Sequence, residues 1–382
     1  MNMTISINMN WNDEKLQNLD KVNNILFKIK SKTNNIIFVY TPPKVGSTSL
    51  VSSIRISAPL KFSVLHIHDD LMLNVLTGYN DITVNDVILY NKLLGKNVYV
   101  IDIFRTPIER KMSEYFEKLS CYHFNNSEDN LNNYNIDKII NRFNKLFPYL
   151  ASKDYFQEVY NINFPERFDF ENKFLLLQEN GINYIKLRLM DSKLWGSILT
   201  NILDTEIVII HDYETENKKI GDLYRKFKMN YSIPINLINL LSECRMISYY
   251  LSEEEMIQYM TSWGNKVTEK EVVPYTEEEY NFYMNLCVEN NFYNDMKNDH
   301  YIDVGCICKK CCLQRNELFK KAKSGEKIKE KIIHNKNILN TNIINRIINS
   351  KVNNKVNKLN KIQKNKKTIS NLLSNVINLK RS

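Results

Sequence analysis

No part of this 382-residue chain approaches the roughly 18 uninterrupted apolar residues that a bilayer-spanning helix needs, so no transmembrane segment is predicted. The first residues, MNMTISINMNWNDEKLQ, lack a basic stretch followed by an apolar run, which predicts no secretory signal. Cysteine is sparse and odd in number, seven in all. That speaks against a disulfide-stapled secreted scaffold and for reduced thiols in a cytoplasmic setting. The ordinary phosphate-binding pattern GxxxxGK[ST] is absent as well, which weighs against an ATPase or GTPase.

What is present is globular in kind: 43% hydrophobic and 25% charged residues, enough chain to bury a large core without disulfides. The abundance of Asn, Lys and Ile reads as the codon bias of an AT-rich genome. The net charge of +9 is unevenly spread, because 20 of the 52 basic residues but only 3 of the 43 acidic ones lie from Lys309 onward. The preceding body is therefore mildly acidic, with 32 basic and 40 acidic residues. The basic balance describes a tail, not a site.

Five short, nearly continuous apolar segments read as buried parallel strands: Ile36–Tyr40, Phe62–Ile67, Val98–Phe104, Tyr184–Leu189 and Glu206–Ile210. Helical patterns separate them, which predicts an α/β layered sheet. The helix after Phe104 carries a Thr106-Pro107-Ile108-Glu109 start, with Thr as cap, Pro at the first turn and Glu three residues on. Ile108, Met112, Tyr115, Phe116 and Leu119 then share one face, with Arg110 and Ser113 off it. Further capping boxes are predicted at Ser252–Glu255 and Thr276–Glu279, opening a helical layer.

The segment NIIFVY-TPPKVGSTSL, residues 35–50, predicts a strand, a tight loop around Gly46 and a helix entered through Ser47, Thr48 and Ser49. Free amides, hydroxyls and Lys44 together suit an anionic group. Here the lysine precedes the glycine, and Pro43-Lys44-Val45-Gly46-Ser47-Thr48 resembles the 5′-phosphosulfate loop of sulfotransferases that use 3′-phosphoadenosine-5′-phosphosulfate (PAPS). That family also has a 3′-phosphate site built from a strand-terminal Arg and a helical Ser eight positions on. Arg105 and Ser113 stand at that spacing, within an R-x-P-x-x-R-x-x-S form similar to the glycan-modifying branch. Between the two sites His66-Ile67-His68 resembles the catalytic segment of uronic-acid-type 2-O-sulfotransferases. Alternation puts both imidazoles on one side of the strand, with Asp69 as an orienting group for them.

The resemblance covers about residues 35–300, with specific motifs only in 35–115. FDFENKFLLLQENGINYIKLRLMDSKLW and EIVIIHDYETENKKIGDLYRKF are similar to later units of bacterial and viral proteins of the capsular polysaccharide synthesis or sulfotransferase-like kind. It implies a P-loop-like three-layer fold, with a central mainly parallel sheet flanked by helices; composition adds a basic low-complexity C-terminal tail. The resemblance further implies an enzyme with PAPS as cosubstrate, a carbohydrate hydroxyl as acceptor and no required metal. Lys44, His68 and His66 would be catalytic. Lys44, Val45, Gly46, Ser47, Thr48, Ser49, Arg105 and Ser113 would hold the donor. The adenine-binding loop of cytosolic relatives is not recognisable. His211 and Asp212 follow the fifth expected strand, where capping is the leading reading.

The expected organisation is an approach segment at 1–34, the α/β domain at 35–300, a cysteine cluster at 301–315 and a basic tail at 316–382. Cys306, Cys308, Cys311 and Cys312 have spacings open to zinc, to free thiols or to a local disulfide. The tail fits a solubilising extension, with nucleic acid or an anionic membrane surface as alternative partners. Two competing functions stay open. One is a nucleotide kinase or phosphotransferase with Asp102 as the metal-holding acid; the other is a non-catalytic nucleotide- or nucleic-acid-binding protein.

Overall fold

The computed structural model describes residues 11–27, 33–59, 61–212, 214–269, 271–287 and 296–324. Its centre is a five-stranded sheet of β1 (Asn35–Tyr40), β2 (Ser63–Ile67), β3 (Asn97–Phe104), β4 (Phe174–Glu179) and β5 (Ile182–Arg188), in the order β2-β1-β3-β5-β4. All neighbours pair in parallel except β4 with β5. The expected class is met: an α/β protein with a mostly parallel central sheet flanked by helices.

Strand alternation divides the apolar residues into two clusters, one per sheet face. Ile36, Phe38 and Tyr40 join one with Leu65, Ile67 and Val100. Ile37 and Val39 join the other with Val64, Ile101 and Ile103. With both faces covered, β1 and β2 are buried along nearly their whole length, the condition that makes such strands read as continuous apolar runs. Helices α1 (Asp13–Leu26), α3 (Asp70–Thr77) and α4 (Val84–Leu93) feed the first cluster, and α2 (Ser47–Ser57) feeds the second. The approach segment is thus partly core, since Leu19, Val22 and Leu26 of α1 are fully buried.

Three local expectations need correction. First, β4 has no counterpart among the five expected strands. It is an edge strand with Leu176 exposed, joined to β5 by Asn180-Gly181, both at positive φ (51° and 71°), as a tight hairpin turn requires. Second, Glu206–Ile210 is not a strand. It lies over α2, where the N–H groups of Val208, Ile210 and Asp212 donate to the hydroxyls of Ser57, Ser53 and Ser49 at 2.9, 2.9 and 3.0 Å. Every second residue of an extended chain advances by about 6.6 Å, and every fourth residue of a helix by about 6 Å. Serines four apart can therefore substitute for a partner strand.

Third, the box at Thr106 does not close. Helix α5 (Pro107–Glu117) has Pro at its first turn but no side-chain cap bond, and Glu109 instead accepts from the Tyr259 hydroxyl at 2.8 Å. Its apolar face is as expected, yet Arg110, Lys111 and Ser113 are buried too, so α5 is enclosed on nearly all sides. The boxes at Ser252–Glu255 and Thr276–Glu279 both form.

No helix among the described residues is long and apolar enough to cross a membrane. The tail expected over 316–382 lies outside the described residues from residue 325 onward. Its first part continues the helix Lys309–Lys323, which runs through the boundary drawn at 315/316.

Candidate functional site

The strand order makes the chain step from β1 to β2 on one side and return to β3 on the other. The crevice beyond the carboxyl ends of β1 and β3 is the topological switch point, where open α/β sheets take their ligands. The loop after β1 carries Lys44 and the loop after β3 begins with Arg105. They meet there: Arg105 Nη1 donates to the Lys44 carbonyl at 2.8 Å.

The loop backbone is unusual. Lys44 has φ 67° and Gly46 φ 94°, both left-handed. For lysine that conformation costs on the order of 1 kcal/mol and is kept only where surroundings enforce it. At Gly46 the left-handed backbone favours glycine, and a Cβ would also stand 2.8 Å from Leu189 Cδ1, a side-chain end that would have to shift. Gly46 is also the N-cap of α2 and offers no side-chain acceptor. The first amides of α2 are therefore left to an outside partner, the arrangement that binds anions.

The side chains of the expected set separate into groups. Lys44 Nζ is paired with Glu117 at 2.8 Å, and Glu117 also takes Lys218 at 2.7 Å. Burial draws the Lys44 ammonium below its usual range despite Glu117. Burial would raise Glu117, but the two lysines hold it below the usual carboxylate range. Val45 is core. Ser49 Oγ is committed to the Asp212 backbone and so supports α2 rather than the loop. Thr48 is half-buried with no hydrogen bond of its side chain among the described residues. Ser113 is buried on α5, likewise without such a bond among them.

His66 and His68 do face the same side, with ring centroids 4.8 Å apart. His66 is buried beneath Tyr301 and its Nε2 lies 2.9 Å from Ser47 Oγ. His68 Nδ1 lies 2.7 Å from the Thr41 carbonyl. A carbonyl can only accept, so Nδ1 carries the proton and Nε2 keeps its lone pair. Burial lowers both imidazoles, His66 strongly. For His68 the Thr41 carbonyl and Asp69 oppose the burial in part, while Lys44 and Arg110 add to it. Asp69 does not orient either ring by hydrogen bond: it caps α3, accepting from Met72 N at 2.7 Å.

Arg110 is more central than its sequence position suggests. Burial lowers its guanidinium, and the neighbouring Arg105 adds to that. Nη1 reaches the carbonyls of Ala151 and Lys153 at 3.4 and 3.2 Å. Its buried Nε has no partner among the described residues, an orphaned donor of the kind that asks for a ligand or water. Nothing in its place off the apolar face of α5 shows that the fold would turn it inward. Glu117, Lys218 and Thr41 carry no local signal either, because they come to the site through tertiary packing.

Asp102 is fully enclosed. Its carboxylate accepts from Thr41 Oγ1 at 2.7 Å, Lys186 Nζ at 2.6 Å and Phe156 N at 3.1 Å, tying β1, β3 and β5 together below the loop. Lys186 is shared with Asp154 at 2.7 Å. Both Asp102 oxygens are spent, which leaves none to hold a metal on a phosphate. His211 is exposed and pairs with Glu214 at 3.2 Å, and Asp212 Oδ2 accepts from Ser52 at 2.9 Å. Neither belongs to the crevice set.

The crevice thus gathers Lys44, Lys218, Arg105 and Arg110 with the carboxylate of Glu117, a set of uncapped helix amides and a neutral imidazole with a free nitrogen. It can fix a multiply charged anion and take a proton beside it. Comparison of the chain with family models, with curated proteins and with solved structures finds no match in any of the three.

Proposed function

We propose that the chain is a sulfotransferase, with a P-loop-like fold, that moves the sulfuryl group of PAPS onto a carbohydrate hydroxyl. The observation that carries this reading is the meeting of the Lys44 loop and Arg105 at the β1/β3 crevice, with His68 beside Lys44. Two anion-binding units in contact suit a donor with phosphate groups at two ends. A neutral base suits an acceptor that must lose a proton.

In this reading the α2 amides, Lys44 and the hydroxyls of Ser47 and Thr48 hold the 5′ end of the donor. Arg105 and Ser113 hold the 3′-phosphate, with Arg110 supporting them. The acceptor oxygen attacks sulfur in line. A new O–S bond forms, and the S–O bond to the 5′-phosphate breaks. The acceptor proton passes to His68 Nε2, and the electron pair leaves on the bisphosphate oxygen facing Lys44. His66 is a positioning residue that holds Ser47. The paired state of Asp102 speaks against the kinase alternative, which needs a free metal-holding acid at that strand.

Thermal unfolding with 3′-phosphoadenosine-5′-phosphate (PAP), with ATP and Mg²⁺, and with neither tests the reading. A rise in Tm with PAP, and PAP release from PAPS in the presence of glycan acceptors, are expected. Stabilisation by ATP and Mg²⁺ but not by PAP would overturn it.

A further inference from the structure

Beyond the crevice, the last described segment is tied to the sheet in a way the sequence does not indicate. Tyr301 and Asp303 accept from the N–H groups of His66 and Val64 at 2.7 and 3.2 Å. Arg55 of α2 clamps the same stretch, donating to the His300 and Ile302 carbonyls at 2.7 and 3.2 Å. The chain therefore lies along the outer edge of β2 before it turns into the helix Lys309–Lys323. That helix buries none of its residues; Leu313 is 54% exposed and Ile307, just before it, 74%. Apolar packing is not what fixes it.

A side-chain cluster stands at the junction. Donor atoms of His300, Cys306 and Cys311 all lie within 4.8 Å of one another, with His300 Nε2 3.9 Å from Cys311 Sγ. Cys308, the exposed N-cap of the helix, lies outside this trio but stands between Cys306 and Cys311 in the chain, so its thiol is the one a fourth ligand position would draw in. Zinc bonds of about 2.3 Å to sulfur and about 2.1 Å to nitrogen place tetrahedral ligands about 3.6–3.8 Å apart. The cluster is already near that size. Cys312 is held elsewhere, its thiol meeting the Ile307 carbonyl and Arg315 at 3.4 and 3.7 Å.

We infer that His300, Cys306, Cys308 and Cys311 form a structural zinc site that clips the helix Lys309–Lys323 to the edge of β2. Three thiolates and a neutral imidazole around Zn²⁺ carry a net charge of −1. The surroundings answer it: Arg315 donates to the Cys306 carbonyl, Lys309 and Lys310 open the helix, and Arg55 lies behind His300. Such outer groups orient and neutralise a thiolate site. The site has no open position and takes no part in the proposed chemical step. Its consequence is mechanical, holding Tyr301 over His66.

The test is metal analysis of the full chain purified under reducing conditions, followed by exchange with Co²⁺. About one zinc per chain is expected, and the Co²⁺ form is expected to show the visible bands of tetrahedral cobalt with thiolate charge transfer in the near ultraviolet. Cys308→Ser and His300→Ala are expected to lose the metal, and Cys312→Ser to keep it. Far-ultraviolet circular dichroism of each variant shows that the body remains folded. A metal-free reduced chain that shows no cobalt bands would overturn the inference, as would a disulfide among these thiols in freshly purified protein. Retention of metal by His300→Ala with loss in Cys312→Ser would overturn the ligand set.

Discussion

The guanidinium of Arg105 donates to the backbone carbonyl of Lys44 across 2.8 Å, so the residue that opens the β3 loop also braces the strained residue of the β1 loop. Removing the side chain takes away both an anion contact and the brace. Arg105→Ala is expected to weaken PAP binding by about 30–100-fold, the worth of a charge-assisted hydrogen bond plus lost preorganisation. Arg105→Lys is expected to recover little, because one ammonium cannot meet a carbonyl and a phosphate together. Titration calorimetry with PAP measures this, and parental affinity in Arg105→Ala would remove Arg105 from the donor site.

Glu117 holds Lys44 in the ligand-free protein and puts a negative charge beside the proposed anion. Glu117→Gln keeps the length and an acceptor oxygen but removes that charge. PAP affinity is expected to rise by about threefold to tenfold, the effect of one like charge near a partly buried anion. The gain is expected to shrink at high salt. If affinity instead falls, Glu117 is needed to position Lys44, and the anion does not displace it.

His68 is expected to set the acid limb of the rate profile. Burial lowers its pKa below the ordinary 6.5, so at neutral pH it is already the free base. The sign follows: kcat/KM falls only as pH drops through the lowered value and stays level above it. His68→Gln is expected to lower kcat by about 10²–10⁴-fold, the range for a lost general base. The acid limb is expected to vanish with it, leaving PAP binding within about twofold of the parent. A His68→Gln profile with the same acid limb would assign the base elsewhere, His66 being next in line.

How much of this is legible in the sequence depends on what surrounds each segment. β1, β2 and β3 declare themselves because both faces are covered and nearly every residue is apolar. β4 is easily missed because it is an edge strand, although the Asn180-Gly181 turn signals a hairpin. Glu206–Ile210 has strand composition, yet its amides are satisfied by serines of α2, a pairing no local pattern reveals. At the site, the loop and strand-end residues stand out through the resemblance that their short motifs carry. The inward turn of Arg110, the capture of Lys44 by Glu117 and the approach of His300 to the cysteines arise only from tertiary packing.

The serines of α2 give a stability prediction free of any assumption about ligands. Ser53 accepts from Ile210 N and donates to the Ser49 carbonyl at 2.6 Å, and it is fully buried. Ser53→Ala leaves a buried amide unpaired and is expected to cost about 1–3 kcal/mol. Ser57→Ala, at the half-buried end of the same ladder, is expected to cost less, about 1 kcal/mol. Urea unfolding measures both. Equal and negligible losses would mean that the segment after Glu206 is held by Ile207 and Ile210 packing alone.

Lys111 offers the clearest pH dependence in the fold. It is fully buried on α5, with its ammonium on the Phe147 carbonyl and over the Phe143 ring at 5.3 Å. Burial pulls its pKa from 10.5 down to about 7, opposed only in part by the charge of Glu114. Between those two values the unfolded chain holds a proton that the folded chain releases. Linkage then makes stability rise with pH from about 7 to about 10 on this residue's account. Below that window the folded state carries a buried, poorly solvated charge. Lys111→Met keeps the length and most of the volume while removing the charge, at the loss of one hydrogen bond to Phe147. It is expected to raise stability at neutral pH by about 2 kcal/mol, because the cost of burying the ammonium exceeds the worth of that bond. It is also expected to flatten the slope of stability against pH across the window. Denaturant titrations at neutral and alkaline pH decide the point. A parent and variant with parallel pH profiles would mean that the Lys111 ammonium reaches water in the folded protein.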